Sequence, residues 1–242
     1  LAPGMIVCLD SGNSRIKWGV HDGERWLAQG AVAHVEVGQL AGLVAAWPAP
    51  ERVLLANVAG VAAGERIREQ LAAWRTPIHE VASSQRAAGV TNLYETPQRL
   101  GVDRWCALIG ARSLVGTAAI VVMAGTATTI DSLDADGQFL GGLILPGVDL
   151  MLGALARETA GLPFAAGRHR PWPRCTDDAI VSGAIEAQVG AIERAWQRLA
   201  AANKTCLLSG GNAGQLARAL VIPYVPVENL PLEGLRVMAY RE

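Results

Sequence analysis

Apolar positions along this chain fall into two blocks that open alike. Met5-Ile6-Val7-Cys8-Leu9 is an unbroken apolar run that predicts a buried strand, Asp10-Ser11-Gly12-Asn13-Ser14 reads as a turn, and Ile16, Trp18 and Val20 alternate as a second strand. Trp26 to Ala33 supplies a third strand. Leu40, Leu43, Val44 and Trp47 then mark a helical stripe, Val53 to Val58 another buried strand, and Ile67, Leu71 and Trp74 the next helix. The first glycine turn joins two strands. Walker loops and Rossmann fingerprints differ, because their glycines open a helix.

A helix-rich stretch after Pro97 carries Leu100, Trp105, Leu108 and Leu114, and the pattern then restarts. Ile120 to Met123 predicts a strand, Ala124-Gly125-Thr126-Ala127 a small-residue turn, and Thr128 to Leu133 a second strand. Asp134-Ala135-Asp136-Gly137 is a strong turn signal before a third strand at Phe139 to Leu145. Val181, Ile185, Val189, Ile192, Trp196 and Leu199 form a long amphipathic helix, with Thr176 or Asp177 as its N-cap. Leu207-Leu208-Ser209 runs into Gly210-Gly211-Asn212, and a further helix follows. Gly12 and Gly125 thus occupy matching turns of a weak internal repeat. Two strand-first α/β halves are expected, residues 5–115 and 116–242, with a cleft between them. Leu1 to Gly4 precede Met5 and take no part in the predicted fold, and Phe164 to Arg174, with its Pro171-Trp172-Pro173, is a predicted loop.

Composition narrows the class. A chain of 242 residues, 51% hydrophobic and 18% charged, has ample material for a core and is not a disordered segment. Its 21 basic and 22 acidic residues give a formal charge of −1, with no Lys/Arg run able to track a phosphate backbone, so nucleic acid is a poor partner. No apolar stretch reaches the roughly 18 residues a spanning helix needs, and no charged leader precedes an apolar core. No membrane association is expected, and the protein is expected to be soluble and cytoplasmic. Cys8, Cys106, Cys175 and Cys206 lack zinc-site spacing and read as reduced thiols.

Two readings fit the segment from Asp10 to Lys17. Backbone N–H groups of the turn can form a concave anion site, with Lys17 meeting phosphate charge and Asp10 reaching a hydrated magnesium ion. Alternatively, Asp10 and Asn13 simply cap their own hairpin. Gly125-Thr126 and Gly210-Gly211 are weaker signals singly, but three glycine turns that each end a buried strand make the pattern of an actin-like nucleotide fold. The segment Asn92 to Trp105 carries Gly101 inside a helical pattern, where glycine costs about 1 kcal/mol relative to alanine and calls for a packing or ligand reason. Asp103 and Arg104 there read, on their own, as solvated helix charges.

Taken in order, these motifs resemble the type III pantothenate kinase family. The resemblance rests on Asp-x-Gly-Asn-Ser-x-x-Lys at 10–17, on Asn-x-Tyr-x-x-Pro-x-x-Leu-Gly-x-Asp-Arg at 92–104, and on Gly-Thr-Ala-x-Thr at 125–129. It continues through Gly141 to Gly147, Thr159-Ala160-Gly161-Leu162-Pro163, and Thr176 with Ala179, Ile180 and Gly183.

The resemblance implies two actin-like, ribonuclease H-like α/β domains with an interdomain ATP cleft. It also implies ATP-dependent phosphorylation of the pantothenate hydroxyl, the first step towards coenzyme A. ATP would be held by Asp10, Ser11, Gly12, Asn13, Ser14 and Lys17, with Gly125, Thr126, Gly210 and Gly211, and magnesium would come with its phosphates, Asp10 nearby. Pantothenate would meet Tyr94, Gly101, Val102, Asp103, Arg104 and Thr176, with Asp103 as proton acceptor. Thr176 would come from the neighbouring subunit of a homodimer.

One position departs from the family pattern, which commonly has Asp where this chain has Met123. A thioether is a poor ligand for a hard ion, so dependence on the potassium or ammonium ion typical of the family is expected to be weak, absent or differently built, unless Asp131 compensates. Another small-molecule kinase or phosphatase of the superfamily would keep the glycine turns without needing the segment from Asn92 to Arg104. An accessory protein on the same fold would need neither Asp10 nor Asp103.

Overall fold

Every residue of β1 (Ile6–Ser11) is buried, and in a computed structural model describing residues 4–159 and 166–241 this strand is the centre of a sheet. It pairs antiparallel with β2 (Arg15–His21), which pairs antiparallel with β3 (Trp26–Ala33). A 3-10 segment, His34–Leu40, and helix α1 (Ala41–Ala46) return the chain to β4 (Arg52–Asn57), parallel to β1. Helix α2 (Val61–Leu71) precedes the edge strand β5 (Ile78–Glu80), and the order is β3-β2-β1-β4-β5. Period-2 alternation sends Val7, Leu9, Val53 and Leu55 to one face, where Leu40, Leu43, Ile67, Leu71 and Trp74 complete a core. Ile6, Cys8 and Asp10 are left on the other face. A short hairpin of β6 (Arg86–Ala87) and β7 (Val90–Asn92) and a 3-10 turn at Pro97–Arg99 lead to α3 (Val102–Leu114).

The next unit repeats the plan. β8 (Ala118–Ala124) pairs antiparallel with β9 (Ala127–Leu133), and β9 with β10 (Gln138–Pro146). Helices α4 (Val148–Glu158) and α5 (Thr176–Arg198) precede β11 (Lys204–Ser209), parallel to β8. Helix α6 (Ala213–Ala217) leads to β12 (Val225–Pro226), parallel to β11. Within this unit the order is β10-β9-β8-β11-β12, matching β3-β2-β1-β4-β5 strand for strand and in every pairing direction. The few aligned residues around Gly12 and Gly125 therefore mark a duplication of the whole sheet. Its core sets Ile120, Val122, Ala124 and Ile130 of the sheet against Ile185, Val189 and Ile192 of α5.

Contacts divide the chain into a unit ending at Leu114 that takes back residues from Asn229 onward, and a unit from Val115 to Glu228. The last helix, α7 (Leu230–Arg241), which sequence position assigns to the second half, packs against α3 and β1 of the first. Glycines allow that close crossing: a Cβ at Gly110 would strike the Leu230 carbonyl, and one at Gly234 the Cys106 carbonyl.

Local details also differ from expectation. Gly101 lies just before α3, where its carbonyl accepts the first helical hydrogen bond, from Trp105 N–H at 3.0 Å, so it carries no helix-interior penalty. Cys175, not Thr176 or Asp177, is the N-cap of α5 and makes no side-chain capping bond. The described part of the predicted loop runs along α5: Arg168 N–H donates to Asp178 at 2.8 Å, Arg170 N–H to Ser182 Oγ at 2.9 Å, and His169 bonds Glu186 at 2.7 Å. Residues 160–163 of the Thr159-to-Pro163 motif and 164–165 of the loop lie outside the described residues. Among the described residues no helix is long and apolar enough to cross a membrane.

Candidate active site

Asp10 is the last residue but one of β1 and lies directly opposite Lys17 of β2, so both side chains rise from the same face of the sheet. The residue is 6% exposed, and its Oδ1 is buried with no hydrogen-bond partner. Burial pushes the Asp10 pKa up to about 7, the charge of Asp103 adds to the rise, and Lys17 opposes it. Cys106 shares this environment; its thiol is pushed well up by burial and by the neighbouring carboxylates Asp10 and Asp103, so it stays a thiol.

The turn that follows is closed by Gly12 N–H donating to the Arg15 carbonyl at 3.0 Å, and Val58 N–H donates to Ser11 O at 3.0 Å. Asn13 and Ser14 are exposed at its tip. Gly12 has no left-handed φ, and a Cβ there would meet only the Arg15 carbonyl at an ordinary 3.5 Å. The fold itself does not require glycine at that position.

The segment from Asn92 to Arg104 is a set of side-chain clamps. Asn92, 2% exposed, donates to the Pro97 carbonyl at 3.1 Å and accepts from Tyr94 N–H at 3.0 Å, while buried Ser83 donates to the Leu100 carbonyl at 2.8 Å. Arg104 is 4% exposed, which rules out a solvated helix charge. Its Nη1 donates to Tyr94 Oη at 2.9 Å and its guanidinium lies over the Tyr94 ring, 5.6 Å from the centroid. Asp103, one residue earlier, stands in the first turn of α3 and accepts from Arg104 N–H at 2.9 Å. A Cβ on Gly101 would come within 2.7 Å of Asp103 Oδ1, so this glycine leaves the carboxylate its place. The first unit thus sets Lys17 and Asp103 within electrostatic reach of Asp10, with Arg104 bonded to Asp103 through its N–H and to Tyr94 through its guanidinium.

In the second unit the turn at Gly125-Thr126 is closed by Gly125 N–H to Ala127 O at 3.1 Å and by Gly147 N–H to Thr126 O at 2.8 Å. Gly125, like Gly12, has room for a Cβ, and nothing lies within 4 Å of one built on Gly211. Gly210 differs: its φ is +106 and a Cβ would strike the backbone of Ala124, so the fold requires it. Asn212 N–H, just beyond, donates to Ala124 O at 2.9 Å. Met123 pairs with Thr129 and Ser209, so its thioether shares a sheet face with Thr129 and with fully buried Asp131. Thr176 is exposed at the start of α5. Grooves of about 570 Å³ beside Ser132 and Leu199 and of about 520 Å³ beside Arg52 and Trp105 contain none of these residues.

A family model described as type III pantothenate kinase matches residues 6–198. The chain belongs to the type III pantothenate kinase family. A relative of that name from Dechloromonas aromatica (strain RCB) is 68% identical over 237 residues, covering 98% of this chain and 100% of its own length. Another, from Aromatoleum aromaticum (strain DSM 19018 / LMG 30748 / EbN1), is 52% identical over 236 residues, covering 97% of this chain and 98% of its own.

Solved structures confirm the actin-like fold. A Campylobacter jejuni protein described as a Baf family transcriptional activator superposes with a TM-score of 0.64 at 18% identity, covering 96% of both chains. A Sinorhizobium meliloti protein described as a 2-dehydro-3-deoxygalactonokinase gives 0.58 at 14% identity, covering 97% of this chain and 96% of its own.

For a family of kinases that work with a divalent cation, the donor set here fits. The unpartnered, buried Oδ1 of Asp10 is a hard oxygen beside an open glycine turn. Motif spacing gives no role to Asn92, Ser83 or His34, whose Nε2 lies 2.6 Å from the Gly12 carbonyl. Asn92 was visible within its motif. His34 carries no local signal except its place directly after β3, the strand that turns back on β2.

Proposed function

We propose that the chain transfers the γ-phosphoryl group of ATP to the primary hydroxyl of pantothenate, giving 4'-phosphopantothenate, the first step of coenzyme A synthesis. The observation that supports this most is the pairing of Asp10 with Lys17 at the end of β1, within electrostatic reach of Asp103 in the first turn of α3 and beside a glycine that the fold does not need. Asp10, Ser11, Gly12, Asn13, Ser14 and Lys17 bind ATP together with Gly125, Thr126, Gly210 and Gly211. Lys17 meets phosphate charge, and the turn offers its N–H groups. Magnesium would be held largely by the ATP phosphates with Asp10 nearby, and its chemistry is to neutralise phosphate oxygens during transfer.

Tyr94, Gly101, Val102, Asp103 and Arg104 bind pantothenate, with buried Arg104, braced by Tyr94, meeting the carboxylate. The substrate hydroxyl oxygen forms the new P–O bond as the bond from the γ-phosphorus to the β,γ-bridging oxygen breaks. The hydroxyl proton passes to Asp103. A carboxylate is a weak base towards an alcohol, so Asp103 first orients the nucleophile by hydrogen bond and accepts the proton late.

A homodimer completes each site with Thr176 of the partner. Exposed Leu140, Leu143 and Ile144 of β10 and Leu150 and Leu155 of α4 supply apolar surface for such an interface. Co-expressing Thr176→Ala with Asp103→Asn checks this: the mixed dimer regains one intact site and therefore activity, and no recovery contradicts a shared site. Substrate choice is tested by ADP release with pantothenate, acetate and hexoses in parallel. Release with pantothenate alone is expected, and release with a hexose or acetate instead overturns the assignment.

A further inference from the structure

In each unit the residue directly after the third strand ties down the turn that follows the first strand, but it uses a different group. After β10 this residue is Gly147, whose backbone N–H donates to Thr126 O at 2.8 Å. After β3 it is His34, whose ring Nε2 lies 2.6 Å from Gly12 O, a contact that spans 22 residues of chain and is partly buried. A carbonyl oxygen only accepts, so Nε2 must carry the hydrogen and donate it.

The consequence follows from peptide planarity. The Gly12 carbonyl and the Asn13 N–H belong to one rigid trans unit and point in opposite directions, so fixing one fixes the other. Gly12 has no side chain to restrain that plane, and the turn's own bond, Gly12 N–H to Arg15 O at 3.0 Å, acts on the preceding peptide. Asn13 itself is exposed.

We propose that His34 is a positioning residue for nucleotide binding: its hydrogen bond to Gly12 O orients the Asn13 N–H as a donor to a phosphate of ATP. The inference rests on the assignment of the Asp10-to-Lys17 turn to ATP. In the second unit, Gly147 does for the peptide after Thr126 what the imidazole does here.

Steady-state kinetics of His34→Ala, His34→Gln and Lys17→Ala, with melting temperatures, test it. His34→Ala should raise KM for ATP by about three- to tenfold, the effect of one hydrogen bond, while KM for pantothenate and Tm hold near wild type. His34→Gln, which keeps an N–H donor at similar reach, should recover most of the ATP affinity. An unchanged KM for ATP in His34→Ala, a parallel rise in both KM values with a fall in Tm, or a glutamine variant as poor as alanine overturns the proposal. If Lys17→Ala raises KM for ATP and His34→Ala does not, only the histidine's role fails. If neither does, the turn's assignment to ATP fails with it.

Discussion

The two units share one strand order, yet they differ at the matching points of that order. Asp10 and Met123 are each the last residue but one of the central strand, facing Lys17 in the first unit and Thr129 in the second. One unit thus places a carboxylate and an ammonium at its strand end, and the other a thioether and a hydroxyl. The turns beyond are pinned by the same device, an N–H arriving after the fourth strand: Val58 to Ser11 O, and Asn212 to Ala124 O. Duplication explains the common frame. The chemistry lies in what was substituted onto it, with charge concentrated in the first unit and backbone geometry in the second.

Besides Asp103, a large effect is expected at Asp10. Its folded pKa of about 7, against 3.8 for the ordinary carboxyl, means that the folded chain holds a proton which the unfolded chain releases between those values. This stabilisation is complete below pH 4, declines as pH rises, and is gone above 7; it amounts to roughly 4 kcal/mol. Asp10→Asn should flatten that decline in denaturation midpoints measured from pH 4 to 8, and should lower kcat by about 100-fold or more. A mutant with the wild-type slope would place the titrating group elsewhere.

The glycines separate the structural from the functional turn. Gly210→Ala should lower stability by about 1–3 kcal/mol, because an L side chain enters a left-handed φ and meets Ala124. Gly12→Ala should leave Tm near wild type and raise KM for ATP by about tenfold, since only the ligand's approach is obstructed. Equal losses of stability in the two variants would erase the distinction.

Tyr94→Phe removes the hydroxyl that accepts from Arg104 at 2.9 Å and keeps the ring beneath it. KM for pantothenate should rise by about three- to tenfold, with KM for ATP unchanged. The smallest effect concerns Met123: replacing potassium by a sodium-free organic buffer should change turnover by less than about twofold, because a thioether does not hold a hard cation. Strong stimulation by potassium or ammonium would show that the second unit builds such a site from other atoms.

Long apolar runs made the central strands legible from sequence alone. Ile6 to Leu9 and Ile120 to Met123 have both faces to bury, and a strand so constrained announces itself. The short strands Ile78–Glu80, Arg86–Ala87 and Val90–Asn92 gave no period to detect, being three residues or fewer. Helix α7 was legible as a helix only through its partner, since Leu230, Leu232 and Leu235 are buried against an element more than a hundred residues earlier. The burial of Arg104 was hidden for the same reason: adjacent charges on a helix look solvated until the neighbouring segment brings Tyr94 over one of them. His34 was invisible because its function depends on where β3 ends relative to Gly12, a matter of register that no local pattern encodes.

The most direct test of the account is single-turnover and steady-state ADP release with pantothenate for wild type and Asp103→Asn. Wild type should release ADP only with pantothenate present, and the variant should lose about 10² to 10⁴ in kcat with its KM for ATP unchanged. Full activity in Asp103→Asn would remove that carboxylate from the transfer step and contradict the placing of the chemistry where the first turn of α3 meets the end of β1.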